Sequence, residues 1–158
     1  MLIDLVRWLH VIGATVLLGT GAGIAFFMLM AHRTADPRLI AHTGQTVVLA
    51  DAIFTLSAVI AQPATGISLA HMLGWSLGEG WLVVSLGLYV LTGLFWIPVV
   101  LIQMKLRDLA CEAMRDGMPL GAAYHRLFRI WFACGIPAFL AVLAIVWLMV
   151  TKPVLELW

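Results

Sequence analysis

The chain has 158 residues, of which 63% are hydrophobic and 11% are charged, and its formal net charge is +1. A typical soluble domain is about half apolar and about one quarter charged, and a soluble fold of this length could not bury so much apolar surface. The composition therefore excludes soluble enzymes and disordered chains, and the near-zero net charge, with no basic tract, excludes nucleic acid as a partner. We expect a single integral membrane domain over residues 1–158, in contact with the lipid bilayer.

Four apolar segments are long enough to cross a bilayer, whose hydrocarbon core needs about 20 residues of helix. Because backbone polar groups in lipid must be paired within the segment, these spans are predicted to be helices rather than strands. Short connections make sequential helices antiparallel. The sequence thus predicts an all-α integral membrane fold, a four-transmembrane-helix antiparallel bundle with helices at about residues 2–31, 42–73, 80–115 and 124–151.

Lysine and arginine residues are unevenly divided between the two ends of the predicted bundle. Seven of the nine lie in or beside the first-to-second and third-to-fourth connections: Arg33, Arg38, Lys105, Arg107, Arg115, Arg126 and Arg129. Arg7 and Lys152 lie at the other end, together with an aromatic belt formed by Trp8, Trp75, Trp81 and Trp158. Since cytoplasmic loops carry an excess of Lys and Arg, we expect a multi-pass protein of the bacterial cytoplasmic (inner) membrane with both termini in the periplasm.

Two histidines lie within the spans at one predicted depth. His10 comes two residues after Trp8 in the first helix, and His71 comes four residues before Trp75 at the end of the second. At a rise of about 1.5 Å per residue, both are within about 3–6 Å of the tryptophan level. Neutral imidazole is an axial ligand of haem iron and a ligand of copper and zinc, whereas a lone interfacial histidine serves as a polar anchor. Both interpretations are open at this point.

The surroundings of His10 favour a large flat ligand over a bare ion. Gly13 and Gly21 follow it at helical spacing and would leave room for a porphyrin face, although glycines also allow close helix packing. No cluster of carboxylates or thiols joins the two histidines at their depth. A site for a hard metal ion is therefore disfavoured.

The predicted site holds haem b between two axial ligands. His10 and His71 would each supply a neutral imidazole and make the iron six-coordinate. Propionates near a low-dielectric boundary need a charge partner, and Arg7 and Lys152 are the cations at that face. We therefore predict the two histidines as iron ligands and the two cations as propionate partners.

Asp51 is the remaining ionisable residue inside a span. An acid in this position is expected to act as a proton relay or as the partner of a cation. Alternatively, it forms a hydrogen bond to a nearby Thr, Ser or backbone group, or pairs with Arg126 or Arg129. The sequence does not distinguish these roles.

A proline, Pro63, interrupts the second span. A proline has no N–H, so a backbone carbonyl in the preceding turn loses its helical partner. The neighbouring Gln62 is predicted to satisfy that carbonyl.

Several short motifs resemble the HemJ-type protoporphyrinogen oxidases and the related CopD-type membrane proteins. The segment Trp8–Thr15 (WLHVIGAT) is similar to their first helix, and Trp81–Leu88 (WLVVSLGL) is similar to the start of their third. Tyr124–Arg129 (YHRLFR), then Pro137, then Ile145–Pro153 (IVWLMVTKP) follow the pattern of their last helix. The chain also resembles a bacterial group of predicted integral membrane proteins without an assigned activity.

This resemblance implies a membrane protein of four or five helices that binds haem b, with His10 as an axial ligand. The chain departs from the pattern at Ser85, where HemJ-type proteins carry a lysine thought to be important for activity. It departs again before Pro137, where Gly135 and Ile136 replace an Asn-Glu pair. Haem binding is therefore implied more strongly than protoporphyrinogen oxidation.

The leading hypothesis is a haem b-binding protein with a role in redox chemistry or electron transfer near the outer face, alone, as a homodimer or with a redox partner. One alternative is a structural or assembly subunit whose glycine-rich segment Gly19–Gly23 packs against another helix. The other is metal-ion passage of the CopD kind, through His10 and His71. Whether any reaction is catalysed is not decided by the sequence.

Overall fold

The computed structural model describes residues 1–155, which form helices and short connections, with no strand in that range. The helices are α1 (Leu2–Thr34), α2 (Pro37–Ala50), α3 (Leu56–Met72), α4 (Gly80–Asp116) and α5 (Ala122–Thr151). A π-helical turn, Asp51–Thr55, joins α2 to α3, so that residues 37–72 form one continuous helix. Trp158, predicted to belong to the aromatic belt, lies outside the described residues.

Within residues 1–155, four helices are long and apolar enough to cross a membrane: α1, the continuous helix 37–72, α4 and α5. The prediction of an all-α integral membrane fold with four spanning helices is confirmed. The second span begins at Pro37, earlier than expected, because Asp36 caps it. The Asp36 carboxylate accepts a hydrogen bond from the backbone N–H of Arg38 at 2.8 Å, and proline suits the first turn of a helix.

The long helix α4 ends at Gly117. This residue has a φ of 66°, a left-handed conformation that favours glycine, and its N–H bonds to the carbonyl of Ala113. The chain then turns through residues 117–121, and α5 packs antiparallel to α4 along most of its length.

At one end of the bundle α2 packs on both α1 and α4. We call it the basic end, because the seven basic residues counted above lie there. Gly44 allows α2 to approach α4 closely, since a Cβ at this position would lie 3.2 Å from the Cα of Arg107. The main hydrophobic core fills this end, and its buried residues are Ile24, Met28, Ala31, Ile40, Ala41, Val47, Leu106, Ala110, Tyr124, Phe128 and Trp131.

At the opposite end, called the terminal end because Met1 and the end of α5 lie there, the bundle divides into two helix pairs. α1 packs on α3, and α4 packs on α5. A small cluster of Ala70, Trp81 and Leu82, with Met149 packed against it, joins the two pairs. Between this cluster and the main core, the two pairs enclose a cavity.

Candidate functional site

The cavity has a volume of about 400 Å³ and is lined by all four spanning helices. Small-molecule sites usually measure about 300–1,000 Å³. α1 contributes a face that includes Ala14, Leu17 and Gly21, and α5 contributes apolar side chains such as Ile136 and Leu140. These two α5 residues are also exposed, which places an open side of the cavity alongside α5.

Three hydrogen-bonded side chains close the cavity at the basic end. Gln103 of α4 donates from Nε2 to Asp51 Oδ2 at 2.8 Å, and Trp131 of α5 donates from Nε1 to Gln103 Oε1 at 3.2 Å. Asp51 is 6% exposed and Gln103 is 0% exposed. The acid is therefore bonded to an amide from a neighbouring helix, and in the described range neither Arg126 nor Arg129 pairs with it.

The π-helical turn positions the acid. Its wider winding is closed by a bond from the Leu56 N–H to the Asp51 carbonyl, five residues back. The first and last residues of the turn, Asp51 and Thr55, are buried and line the cavity, whereas residues 52–54 between them are exposed. Such turns are rare and occur frequently at functional sites.

Two buried polar atoms in the cavity wall have no hydrogen-bond partner within residues 1–155: the Thr55 hydroxyl and the Trp96 indole N–H. Other threonines in these helices donate to the carbonyl four residues back, as Thr92 does to Leu88 at 2.8 Å. Thr55 is 6% exposed, and a buried donor without a partner costs about 1–3 kcal/mol. The cavity wall thus contains two buried donors that have no partner among the described residues.

Tyr89 connects the two helix pairs beside the cavity. Pro63 has no N–H, so the Val59 carbonyl, four residues earlier, lacks its helical partner. The Tyr89 hydroxyl of α4 donates to this carbonyl. The prediction that Gln62 satisfies it is wrong, because Gln62 points to α1 and donates to the His10 carbonyl at 2.8 Å.

His10 lies one turn beyond the cavity, on the face of α1 that carries Ala14. Its Nδ1 is 2.9 Å from Thr65 Oγ1 of α3. The Thr65 hydroxyl also lies 2.8 Å from the Ala61 carbonyl. When its proton goes to that carbonyl, Nδ1 donates to the hydroxyl and Nε2 keeps a free lone pair. The ring packs over Gly66, where a Cβ would lie 3.1 Å from His10 Cε1. An imidazole fixed through Nδ1–H is typical of metal-ligating histidines.

The two glycines predicted to make room for a ligand have different surroundings. Gly21 lines the cavity, and a Cβ at this position would meet no atom within 4 Å. The space over Gly13 is filled by the Gln62 amide, which a Cβ would contact. Gly21 therefore faces open space, whereas Gly13 allows α1 and α3 to pack closely.

The structure does not bring His71 to His10. His10 contacts α3 at Thr65 and Gly66, and His71 lies five residues beyond Gly66. This is about 7.5 Å further along the helix and about 140° around it. His71 is exposed, and residues 1–155 contain no group of three or more side chains able to hold a metal ion. The bis-histidine site stays a prediction.

The predicted propionate partners have other contacts. Arg7 lies 3.8 Å from the Asp4 carboxylate. The Nζ of Lys152 lies over the rings of Trp75 and Trp81, at 4.9 and 5.8 Å from their centroids. Neither cation lines the cavity.

The residues present therefore include one candidate axial ligand of a haem, His10. The described part of the cavity wall offers no cation to pair with the propionates. Within the described residues, no Lys, Arg or His lines the cavity. Ser85, which the resemblance to HemJ-type proteins predicts to stand in place of a lysine, is buried and donates to the Trp81 carbonyl at 2.7 Å. It supplies packing and no charge.

The sequence identified Asp51 but missed three other polar residues of the cavity wall, Thr55, Trp96 and Gln103. A signal was present for Gln103, because an amide inside a span needs a polar partner and Asp51 is the acid within a span near the same end. The other two carried no such signal, since threonine and tryptophan are ordinary residues of spanning helices.

Comparison with known proteins shows the family of the chain. The family model described as "Predicted integral membrane protein (DUF2269)" matches residues 4–153. This range includes every residue of the cavity wall. No curated protein and no solved structure matches. The chain therefore belongs to the DUF2269 family of predicted integral membrane proteins.

Proposed function

We propose that this membrane protein binds a neutral, lipid-soluble ligand in the cavity between its two helix pairs. The proposal depends on one observation, a cavity of about 400 Å³ whose wall carries two buried donors, Thr55 and Trp96, with no partner in residues 1–155. An apolar cavity with a few placed polar groups is the usual form of a small-molecule site.

The chemistry of the wall favours a neutral ligand. Its residues are mostly apolar or aromatic, and the described part of the chain places no basic side chain there. The Asp51 carboxylate would repel an anion, and a cation would find a single acid that already accepts from Gln103. A neutral molecule can enter directly from the lipid beside Leu140, which is exposed to it.

A second candidate is haem b with His10 as an axial ligand, in a redox or electron-transfer role. The observation that favours it is the contact of Nδ1 with Thr65, because a proton on Nδ1 that is donated to this hydroxyl leaves Nε2 free to bind iron. Bound haem would supply one-electron redox chemistry. His10 would hold the iron, and Thr65 would fix the orientation of the imidazole ring.

The proposed location is the bacterial inner membrane, with the basic end in the cytoplasm and both termini in the periplasm. The seven lysines and arginines at the basic end support this orientation. The Asp51 end of the cavity would then lie in the cytoplasmic half of the bilayer.

A cavity-filling variant tests the ligand proposal. Gly21→Leu places a side chain in the open space of the cavity, and Gly19→Leu is the matched control, because Gly19 is exposed on the same helix and its Cβ also meets no atom within 4 Å. The proteins are titrated in lipid nanodiscs with 1-bromonaphthalene, whose bromine quenches the fluorescence of Trp96 and Trp131. We expect saturable quenching for the unmodified chain and for the control, and no saturable quenching for Gly21→Leu.

Quenching that never saturates, with the same slope for all three proteins, would overturn the proposal. A colourless preparation would then favour the structural or assembly subunit. A sharp Soret band would favour haem b, and stoichiometric copper or zinc in metal analysis would favour metal-ion passage.

A further inference from the structure

This inference rests on the proposed function and names the class of ligand. We propose that the cavity binds a quinone, a planar ring with two carbonyl oxygens on a lipid-soluble tail. The carbonyl oxygens accept hydrogen bonds from the Thr55 hydroxyl and the Trp96 indole N–H.

The two donors lie at one level of the bundle. Two hydrogen bonds set the register of α4 against the continuous helix 37–72: Gln103 to Asp51 and Tyr89 to Val59. On the continuous helix 37–72, Thr55 lies midway along the chain between Asp51 and Val59. The donor tryptophan lies midway between Tyr89 and Gln103. Both donors therefore lie near the middle of the contact that these two bonds define.

The nature of the donors selects an acceptor ligand. An indole N–H donates and cannot accept, so the ligand must bring an acceptor to Trp96. A carbonyl oxygen does so without carrying charge into the membrane.

The Asp51 carboxylate allows the reduced form to bind as well. A quinol carries two hydroxyls, and a carboxylate oxygen accepts hydrogen bonds. Asp51 Oδ2 is bonded to Gln103, which leaves Oδ1 as an acceptor for one of these hydroxyls. Both oxidation states therefore find partners at this end of the cavity.

The cavity wall matches a flat ring with an apolar tail. Trp96, Trp131 and Phe132 supply aromatic surface, and Gly93 leaves space beside them, because a Cβ there meets no atom within 4 Å. The tail would leave past Leu140, on the side open to lipid. Only the ring of the quinone then has to fit inside the cavity.

The test measures equilibrium binding of radiolabelled ubiquinone-2, a quinone with a two-isoprenoid tail, to the full chain in nanodiscs. Thr55→Val removes the hydroxyl at almost constant volume, and Trp96→Phe removes the N–H. Thr92→Val is the matched control, because Thr92 lines the same cavity but already donates to Leu88. We expect the first two variants to bind about 5–10-fold more weakly and the control to stay within about twofold, since each lost contact is one neutral hydrogen bond.

The outcomes separate this inference from the proposal beneath it. If 1-bromonaphthalene binds saturably but all variants bind ubiquinone-2 alike, the quinone assignment is overturned and the cavity site stands. If neither 1-bromonaphthalene nor ubiquinone-2 binds saturably, both the cavity site and the quinone assignment are overturned. An equal loss in Thr92→Val would also overturn the assignment, because the effect would then not depend on the two free donors. Unchanged unfolding midpoints confirm that each variant is folded.

Discussion

The amide of Gln103 donates to the carboxylate of Asp51 at 2.8 Å, across the contact between α4 and the π-helical turn. The same amide accepts from the Trp131 indole of α5 at 3.2 Å. All three residues are buried. A single glutamine thus holds three helical segments in register at the basic end of the cavity.

Removing this amide should destabilise the fold. Gln103→Leu leaves the Asp51 carboxylate without its donor and the Trp131 N–H without its acceptor, so we expect the free energy of unfolding to fall by about 2–4 kcal/mol. The measurement is SDS-induced unfolding in mixed micelles. The control is Gln45→Leu, because Gln45 is exposed and has only a 3.6 Å contact with Cys111 Sγ. Equal stability of the two variants would contradict the prediction.

The hydrogen bond from Tyr89 to Val59 makes a second prediction. Tyr89→Phe leaves the Val59 carbonyl unpaired, at a cost of about 1–2 kcal/mol in unfolding free energy. Pro63→Ala restores an N–H that can reach the same carbonyl. The tyrosine substitution should therefore cost much less in the Pro63→Ala background. A double-mutant cycle with no coupling would show that Tyr89 does not satisfy the carbonyl freed by the proline.

Gly44 should not tolerate a larger residue. A Cβ there would lie 3.1 Å from the Arg107 Cβ and 3.2 Å from its Cα, so Gly44→Ala pushes α2 away from α4 and should cost about 1–3 kcal/mol. Gly87→Ala is the control, because its Cβ meets no atom within 4 Å and alanine favours a helix by about 0.5–1 kcal/mol over glycine. In the same unfolding assay, Gly44→Ala should lower the free energy of unfolding and Gly87→Ala should raise it. Changes of the same sign would contradict the packing argument.

The haem candidate makes a spectroscopic prediction. If the purified protein is coloured, His10→Ala should abolish the Soret band or turn it high-spin. His71→Ala should leave the spectrum unchanged, because His71 is exposed and lies about 140° around α3 from the residue that contacts His10. A high-spin spectrum of His71→Ala would instead establish the two-histidine site. A colourless preparation from haem-supplemented cells would exclude haem b.

The sequence predicted the spanning helices well, because an apolar run of sufficient length has few other stable conformations in lipid. It also located Asp51, since an ionisable group inside a span is rare. It did not predict the π-helical turn that positions Asp51, because no local residue pattern distinguishes such a turn from α-helix.

The cavity could not be predicted, because it depends on which helices pack together. Sequential order suggests neighbours but does not show that α1–α3 and α4–α5 separate at one end. The partner of the Val59 carbonyl illustrates the difficulty. Gln62 is adjacent to Pro63 in sequence, but its side chain lies on the α1 side, and Tyr89 reaches the carbonyl from a helix 30 residues away along the chain.

The opening of the cavity beside Ile136 and Leu140 determines how affinity should be expressed. A ligand that enters there comes from the acyl chains and never crosses water, so its occupancy follows its mole fraction in the bilayer. A dissociation constant quoted per volume of buffer would rise as more lipid is added, with no change in the protein. Titrations at several lipid-to-protein ratios should therefore superimpose only when plotted against ligand per lipid.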